Sequence, residues 1–125
     1  MSNNWTAIVV EDTYDDSQLV STILQHHGVQ VYTAHNGDEC LALLGSGVVP
    51  TVVITDLAMP VRDGWQTLVA IRSDPALAHL PVVAITAYHS AEVAEDVWRK
   101  GFDGYFPKPL DPGTFVRQLA EIVEG

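Results

Sequence analysis

Two apolar runs that each end in acidic residues limit what this chain can become. Ala7-Ile8-Val9-Val10 stops at Glu11-Asp12, and Val52-Val53-Ile54 stops at Thr55-Asp56. An ionised carboxylate inside a strand buried on both faces carries a severe desolvation cost, so each run is expected to surface at its acidic end. If the two runs are parallel neighbours in one sheet, all three acids gather on a single rim. Like charges that close repel, and a hard divalent cation such as Mg²⁺ relieves the repulsion.

The rest of the chain alternates strand and helix signals. After the first strand, Asp15 to His27 reads as a helix, with Leu19, Val20, Ile23 and Leu24 on one face and Gly28 as its stop. Val29 to Thr33 alternates, Val29 and Val31 against Gln30 and Tyr32, like an edge strand with one wet face; Gly37 to Leu44 is a second helix, and Val52 to Ile54 a third strand. A helix from about Gly64 to Ser73 ends where Asp74-Pro75 breaks it. Val82 to Ile85 is the fourth strand, Ala91 to Lys100 the fourth helix and Gly104 to Phe106 a short fifth strand. The last helix is expected to open at Asp111-Pro112, with Phe115, Leu119 and Ile122 on one stripe.

Repeated strand-helix units imply a parallel sheet covered on both faces. The first, third and fourth strands are nearly continuous in Val and Ile and suit the centre, while the second and fifth suit the edges. The order 2-1-3-4-5 satisfies this and sets strands one and three side by side, with the ligand-binding switch point at their carboxyl ends. Those ends carry Glu11, Asp12 and Asp56.

At 125 residues, 47% hydrophobic, the chain has enough length to bury a core as one α/β domain. Its net charge of -10 argues against direct contact with nucleic acid or an anionic membrane. The sequence holds neither a bilayer-length apolar stretch nor a secretory signal at Met1-Ser2-Asn3-Asn4, so a cytoplasmic location is expected. The one cysteine, Cys40, reads as a small apolar residue on a helix face.

Two more polar residues fall at strand ends on the same rim: Thr86 after Ile85, and Lys108 after Pro107. A lysine beside carboxylates binds a phosphoryl oxygen as a compact cation, and a threonine hydroxyl donates one directed hydrogen bond. Acids for a metal, a cation and a hydroxyl together suit phosphoryl transfer, where positioning and charge neutralisation carry the catalysis.

In this light the sequence resembles a receiver domain of a two-component response regulator. The landmarks are Val10-Glu11-Asp12, Asp56-Leu57-Ala58-Met59-Pro60 with Asp63-Gly64, Ala84-Ile85-Thr86-Ala87 and Lys108-Pro109, each at the end of its own strand. The resemblance implies a flavodoxin-like fold and a single receiver domain over residues 1–125, ordered over about 5–124. It implies a phosphoprotein signalling domain rather than an enzyme, at most assisting its own phosphorylation and dephosphorylation. Asp56 would be the phosphoacceptor, served by a sensor histidine kinase, a phosphotransfer protein or a small acyl phosphate. Asp12, Asp56 and the Ala58 backbone carbonyl would ligate Mg²⁺ (or Mn²⁺), with Glu11 acting through metal-bound water. Lys108 and Thr86 would hold the phosphoryl group. Thr86 and Tyr105 would form the switch, with Tyr105 turning inward as Thr86 moves and resetting the helix4-strand5-helix5 surface for a downstream partner, an output domain or a homodimer.

Glu11 replaces the family's more frequent first aspartate. In that family the positions of Ala58 and Tyr88 can modulate water attack on the acyl phosphate; the Tyr88 ring is expected to shield it, and its other reading is a cover for loop backbone. Asp15 and Asp16 are assigned to the amino end of the first helix rather than to a metal. His26, His27, His35, His79 and His89 read as solvated or capping residues, Trp65 as packing at the start of the third helix, and Trp98 chiefly as core, with a partner anchor as its other reading. A haloacid-dehalogenase-type phosphatase needs a second aspartate where Tyr14 stands, a flavodoxin needs a less acidic first loop, and a pseudo-receiver would have lost one of the site residues. The start at Met1 leads to the expectation of a stand-alone or amino-terminal receiver.

Overall fold

Five short apolar runs form five parallel strands in the computed structural model, which describes residues 4–124. They are β1 (Thr6–Val10), β2 (Gln30–Ala34), β3 (Val52–Asp56), β4 (Val82–Thr86) and β5 (Gly104–Pro107), in the spatial order β2-β1-β3-β4-β5. Between and after them run α1 (Tyr14–His26), α2 (Gly37–Gly45), α3 (Gly64–Ser73), α4 (Ala91–Lys100) and α5 (Phe115–Glu124). The flavodoxin-like, doubly wound arrangement is the one the alternation predicts. Residues 1–3 and 125 of the expected 1–125 span lie outside the described residues.

Side chains alternate faces along a strand, and the core divides accordingly. Ala7 and Val9 join Leu24, Phe115 and Leu119 beneath α1 and α5. Ile8 and Val10 join Cys40, Leu68, Ile71 and Val97 beneath α2, α3 and α4. Every residue of β3 and β4 is buried, as is every residue of β1 after Thr6. Strand β2 takes the edge, but its outer face is not simply wet. Tyr32, expected to point to water, packs against the same cluster as Ile8.

Caps set the helix boundaries. Asn36 accepts from the Glu39 amide at α2, Ser90 from the Val93 amide at α4, and Asp63 forms a reciprocal capping box with Gln66 at α3. Gly101 closes α4 in the left-handed region at φ 104°.

Four further expectations from the sequence differ in the structure. Helix α5 begins at Phe115 rather than at Asp111-Pro112. The Asp111 side chain accepts from the Gly113 amide at 2.8 Å and caps a turn through residues 112–114, which then leads into the helix. Leu19 is half exposed, because the inward face of α1 runs through Val20, Ile23 and Leu24. Trp98 is 57% exposed, since Val97 is the residue of α4 that enters the core. Glu11, expected at the surface, is wholly buried, and the reason lies in the site.

Two glycines test the packing in opposite directions. A Cβ at Gly64 would lie 2.3 Å from the Asp56 carbonyl oxygen and 2.9 Å from the Leu57 Cα, both unyielding backbone. At Gly45 a Cβ meets nothing within 4 Å. Gly64→Ala is expected to destabilise by about 1–3 kcal/mol through overpacking. Gly45→Ala is expected to stabilise by about 0.5–1 kcal/mol through lost chain entropy in the unfolded state. Urea denaturation midpoints measured side by side check both signs.

Candidate functional site

Strand register builds the site. Val10 of β1 pairs with Thr55 of β3, so the next residues, Glu11 and Asp56, come level at the carboxyl end of the sheet. Glu11 is drawn on in the strand direction by its amide, which donates to the Ala34 carbonyl at 2.9 Å. Asp56 in turn pairs with Ile85, and Ile85 with Phe106, which puts Thr86 and Lys108 just beyond the same level. The Lys108 amide donates to the Thr86 carbonyl at 2.8 Å, and Lys108-Pro109 is a cis peptide bond.

Carboxylate oxygens of Glu11, Asp12 and Asp56 lie within 4.8 Å of one another. The Lys108 ammonium bridges this cluster, donating to Glu11 Oε2 at 2.7 Å and to Asp56 Oδ2 at 2.8 Å. A third bond runs to Asp16 Oδ2 on α1 at 2.9 Å. Here is why Glu11 tolerates burial: it has a cationic partner inside the fold. Burial still dominates and pushes its carboxyl up to about 7, with the Lys108 hydrogen bond opposing and the Asp56 charge reinforcing. Burial alone would lower the Lys108 ammonium, but hydrogen bonds to Asp56, Glu11 and Asp16 outweigh it and hold it above its usual value.

The cluster fits a hard divalent cation. Glu11 Oε1 is buried without a hydrogen-bond partner, and the donor set is all oxygen, as Mg²⁺ prefers. The loop after β3 is held close by the Ala58 amide, which donates to Asp56 Oδ1 at 3.1 Å, and by the Gly64 amide, which donates to the Leu57 carbonyl.

Of the residues singled out in the sequence, Glu11, Asp12, Asp56 and Lys108 converge directly. Thr86 is buried at the end of β4, and its hydroxyl oxygen accepts from the Tyr88 amide at 3.0 Å. Ala58, Thr86 and Tyr88 line one cavity of about 230 Å³ with Trp65 and Val93, while the Tyr88 residue as a whole is largely exposed. The Tyr105 ring packs against the cluster containing Val97, and its hydroxyl is buried without a partner.

A family profile for the response regulator receiver domain matches residues 7–120. The chain belongs to that family. It is 32% identical over 125 residues to the chemotaxis protein CheY-3 of Vibrio cholerae, covering 99% of this chain and 95% of that one. It is 36% identical to an uncharacterized 14.6 kDa protein from the sodA1 3' region of Leptolyngbya boryana, covering 91% of this chain and 86% of the relative. Among solved structures it superposes with a TM-score of 0.87, at 21% identity, on the receiver domain of the sensor histidine kinase PA1611 from Pseudomonas aeruginosa PAO1. That superposition covers 97% of this chain and 98% of the other, whose active site cleft coordinates a magnesium ion.

In this receiver, Asp16 is the site residue that sequence reasoning missed. Its place in the first turn of α1 reads equally well as a favourable charge at a helix amino end. Only the folded chain shows the lysine reaching it. Cys40 is buried, with its thiol pushed up to about 12 by burial, as suits a packing residue. His35, just before α2, bonds Glu39 in the first turn of that helix at 2.9 Å, both side chains being exposed. Trp65 is half buried, its ring edge-to-face with Phe102 at 5.6 Å. Among the described residues no helix is long and apolar enough to cross a membrane.

A cation taken up at the cluster needs Glu11 ionised. Because that carboxyl sits near 7 in the metal-free chain, protons compete with metal below that pH and not far above it. Mg²⁺ affinity measured by calorimetry is therefore expected to weaken by up to about tenfold per pH unit on the acid side of this value, and to level off on the alkaline side.

Proposed function

We propose that this receiver is the phosphoacceptor of a two-component phosphorelay, with Asp56 as the residue that takes the phosphoryl group. The observation that carries the reading is the Lys108 ammonium 2.8 Å from Asp56 Oδ2, inside a three-carboxylate cluster at the sheet's switch point. A carboxylate oxygen of Asp56 attacks the phosphorus of a phosphohistidine or a small acyl phosphate. The new O–P bond forms as the donor's N–P or O–P bond breaks, and the donor keeps the electron pair. Little covalent chemistry falls to the protein beyond this, so positioning and charge neutralisation decide the rate.

Asp12, Asp56 and the Ala58 carbonyl would hold Mg²⁺, or Mn²⁺ in its place, with Glu11 acting through metal-bound water. The magnesium ion coordinated in the active site cleft of the PA1611 receiver supports the choice of ion. When bound, the ion supplies neutralisation of phosphoryl oxygen charge. Lys108 turns its hydrogen bond from Asp56 to a phosphoryl oxygen. Thr86 releases the Tyr88 amide and offers its hydroxyl to the same group.

Phosphorylation adds roughly one negative charge to a rim that is already anionic. Compensation requires Thr86 and Lys108 to close around it, and their closure resets the surface formed by α4, β5 and α5. Tyr105 lies on that path, and Trp98 stands exposed on α4 as an anchor for a downstream protein, an output domain or a second copy of the chain. The phosphoryl donor is a sensor histidine kinase or a phosphotransfer protein, and the domain signals rather than turns over a substrate.

Asp56→Asn is expected to abolish labelling by an acyl phosphate while leaving the chain folded. Retained labelling in that variant, scored by a mass shift or a phosphate-affinity gel, would refute Asp56 as the acceptor. Tyr88 lines a cavity with Ala58 and Thr86 and is itself largely exposed. Tyr88→Ala is expected to speed loss of the phosphoryl group about two- to tenfold by admitting water, a change of roughly 0.4–1.4 kcal/mol in barrier height. The phosphoprotein lifetime after removal of the donor measures it.

A further inference from the structure

Lys108 has three N–H bonds to give, and three carboxylates take them. Glu11 and Asp56 belong to the rim where a cation and a phosphoryl group would sit. Asp16 does not. It projects from the first turn of α1, and its side chain is 41% exposed beside a cleft of about 300 Å³ that Lys108, Leu19 and Leu110 also line. The lysine is thus tethered to a helix outside the rim by a carboxylate at 2.9 Å.

We propose that Asp16 is a positioning residue that withholds part of the Lys108 charge from the site, favouring cation uptake at the expense of phosphoryl affinity. The inference rests on the phosphoacceptor reading above and deepens it. An ammonium with a carboxylate against one side presents a dipole, rather than a full positive charge, to groups on its other side. A divalent cation arriving among Glu11, Asp12 and Asp56 then meets less repulsion. A phosphoryl group on Asp56 meets less attraction, and must also draw the lysine away from α1.

The consequence is a pair of changes with opposite signs. Asp16→Asn keeps the size of the side chain and an oxygen that accepts from Lys108, but removes the charge. Exposing the whole ammonium charge weakens Mg²⁺ binding and strengthens binding of a phosphoryl-like anion. A charge at this distance near the surface acts through a high effective dielectric, so each affinity is expected to move by about three- to tenfold. Both shifts shrink at high ionic strength, because Asp16 is open to solvent. A merely structural role predicts something different: loosening the α1 tether would weaken both ligands together.

Calorimetry on the full chain decides the matter, with Mg²⁺ titrated alone and beryllofluoride, an anion of phosphoryl shape, titrated at saturating Mg²⁺. The expected result is weaker Mg²⁺ and tighter beryllofluoride in Asp16→Asn, with Asp16→Glu staying within about twofold of the unchanged chain because it restores the charge. Two affinities that fall together, two that do not move, or an Asp16→Glu variant that behaves like Asp16→Asn would each overturn the proposal. If the unchanged chain takes up neither ligand, the phosphoacceptor reading itself falls and this inference falls with it. If the unchanged chain binds both and only the variant pattern is wrong, the fault lies with Asp16 alone.

Discussion

One ammonium holds the acidic end of this molecule together. Lys108 stands just past β5, at one edge of the sheet, and β4 separates it from the aspartate it bonds. Its long unbranched stem crosses the end of β4 to meet Asp56 from β3, Glu11 from β1 and Asp16 from α1. Strand β3 and the β1–α1 unit are thus tied to the end of β5 at one atom, and the tie accounts for a carboxylate that is fully buried. Without the lysine, Glu11 would sit inside the fold with only like charges near it. Removing one partner of a buried ion pair costs about 3–5 kcal/mol for that reason. The strand order 2-1-3-4-5 puts these acids within the lysine's reach across the end of β4.

The lysine neutralises the site only in part. Glu11 Oε1 remains buried without a partner, and at the outward end of the same system so does the Tyr105 hydroxyl. A buried polar atom left unsatisfied costs about 1–3 kcal/mol. The fold carries that cost at the carboxylate cluster, where the proposed mechanism brings a cation, and also at Tyr105 of β5 and at the Ser21 hydroxyl on α1. Thr86 shows the same economy in another form. Its hydroxyl is occupied by the Tyr88 amide, an exchangeable bond within its own loop, so it is held in place but not locked.

Legibility in the sequence followed the physics of each feature. Central strands were plain because burial on both faces demands uninterrupted Val and Ile, and β1, β3 and β4 have them. Carboxylates at strand ends were plain because few other places in a parallel sheet accept them. Tyr32 was misread because alternation in an edge strand reports polarity, whereas a tyrosine can bury its ring and keep its hydroxyl accessible. Leu19 and Trp98 were misread because a helical stripe fixes a face only to within one residue, and Val20 and Val97 took the inward places. The start of α5 was blurred by a capped turn that satisfies the same amides as a helix would. Asp16 was invisible as a site residue because its partner lies 92 positions away.

The way α4 is attached shows how a local change of charge can become a change of surface. Among the described residues Val97 is its one buried side chain, so the helix sits on the sheet by a narrow stripe. Its carboxyl end is fastened. Arg72 donates to the carbonyls of Ala78, Leu80 and Gly101 and to Asp103, and the Asp103 carboxylate also accepts from the Val82 amide. Its amino end is held by the Ser90 cap and by half-buried Val93, two and five residues after the exposed Tyr88 whose amide depends on Thr86. A shift of Thr86 toward the Asp56 rim gives up the bond that shapes this loop, while the Arg72 network keeps the far end of the helix still. Segments with few buried contacts open at low free energy, and here the weakly held end faces the site. In the proposed switch, loss of the Thr86–Tyr88 bond would loosen the Ser90 end of α4 while the Gly101 end stays fastened, without disturbing the sheet.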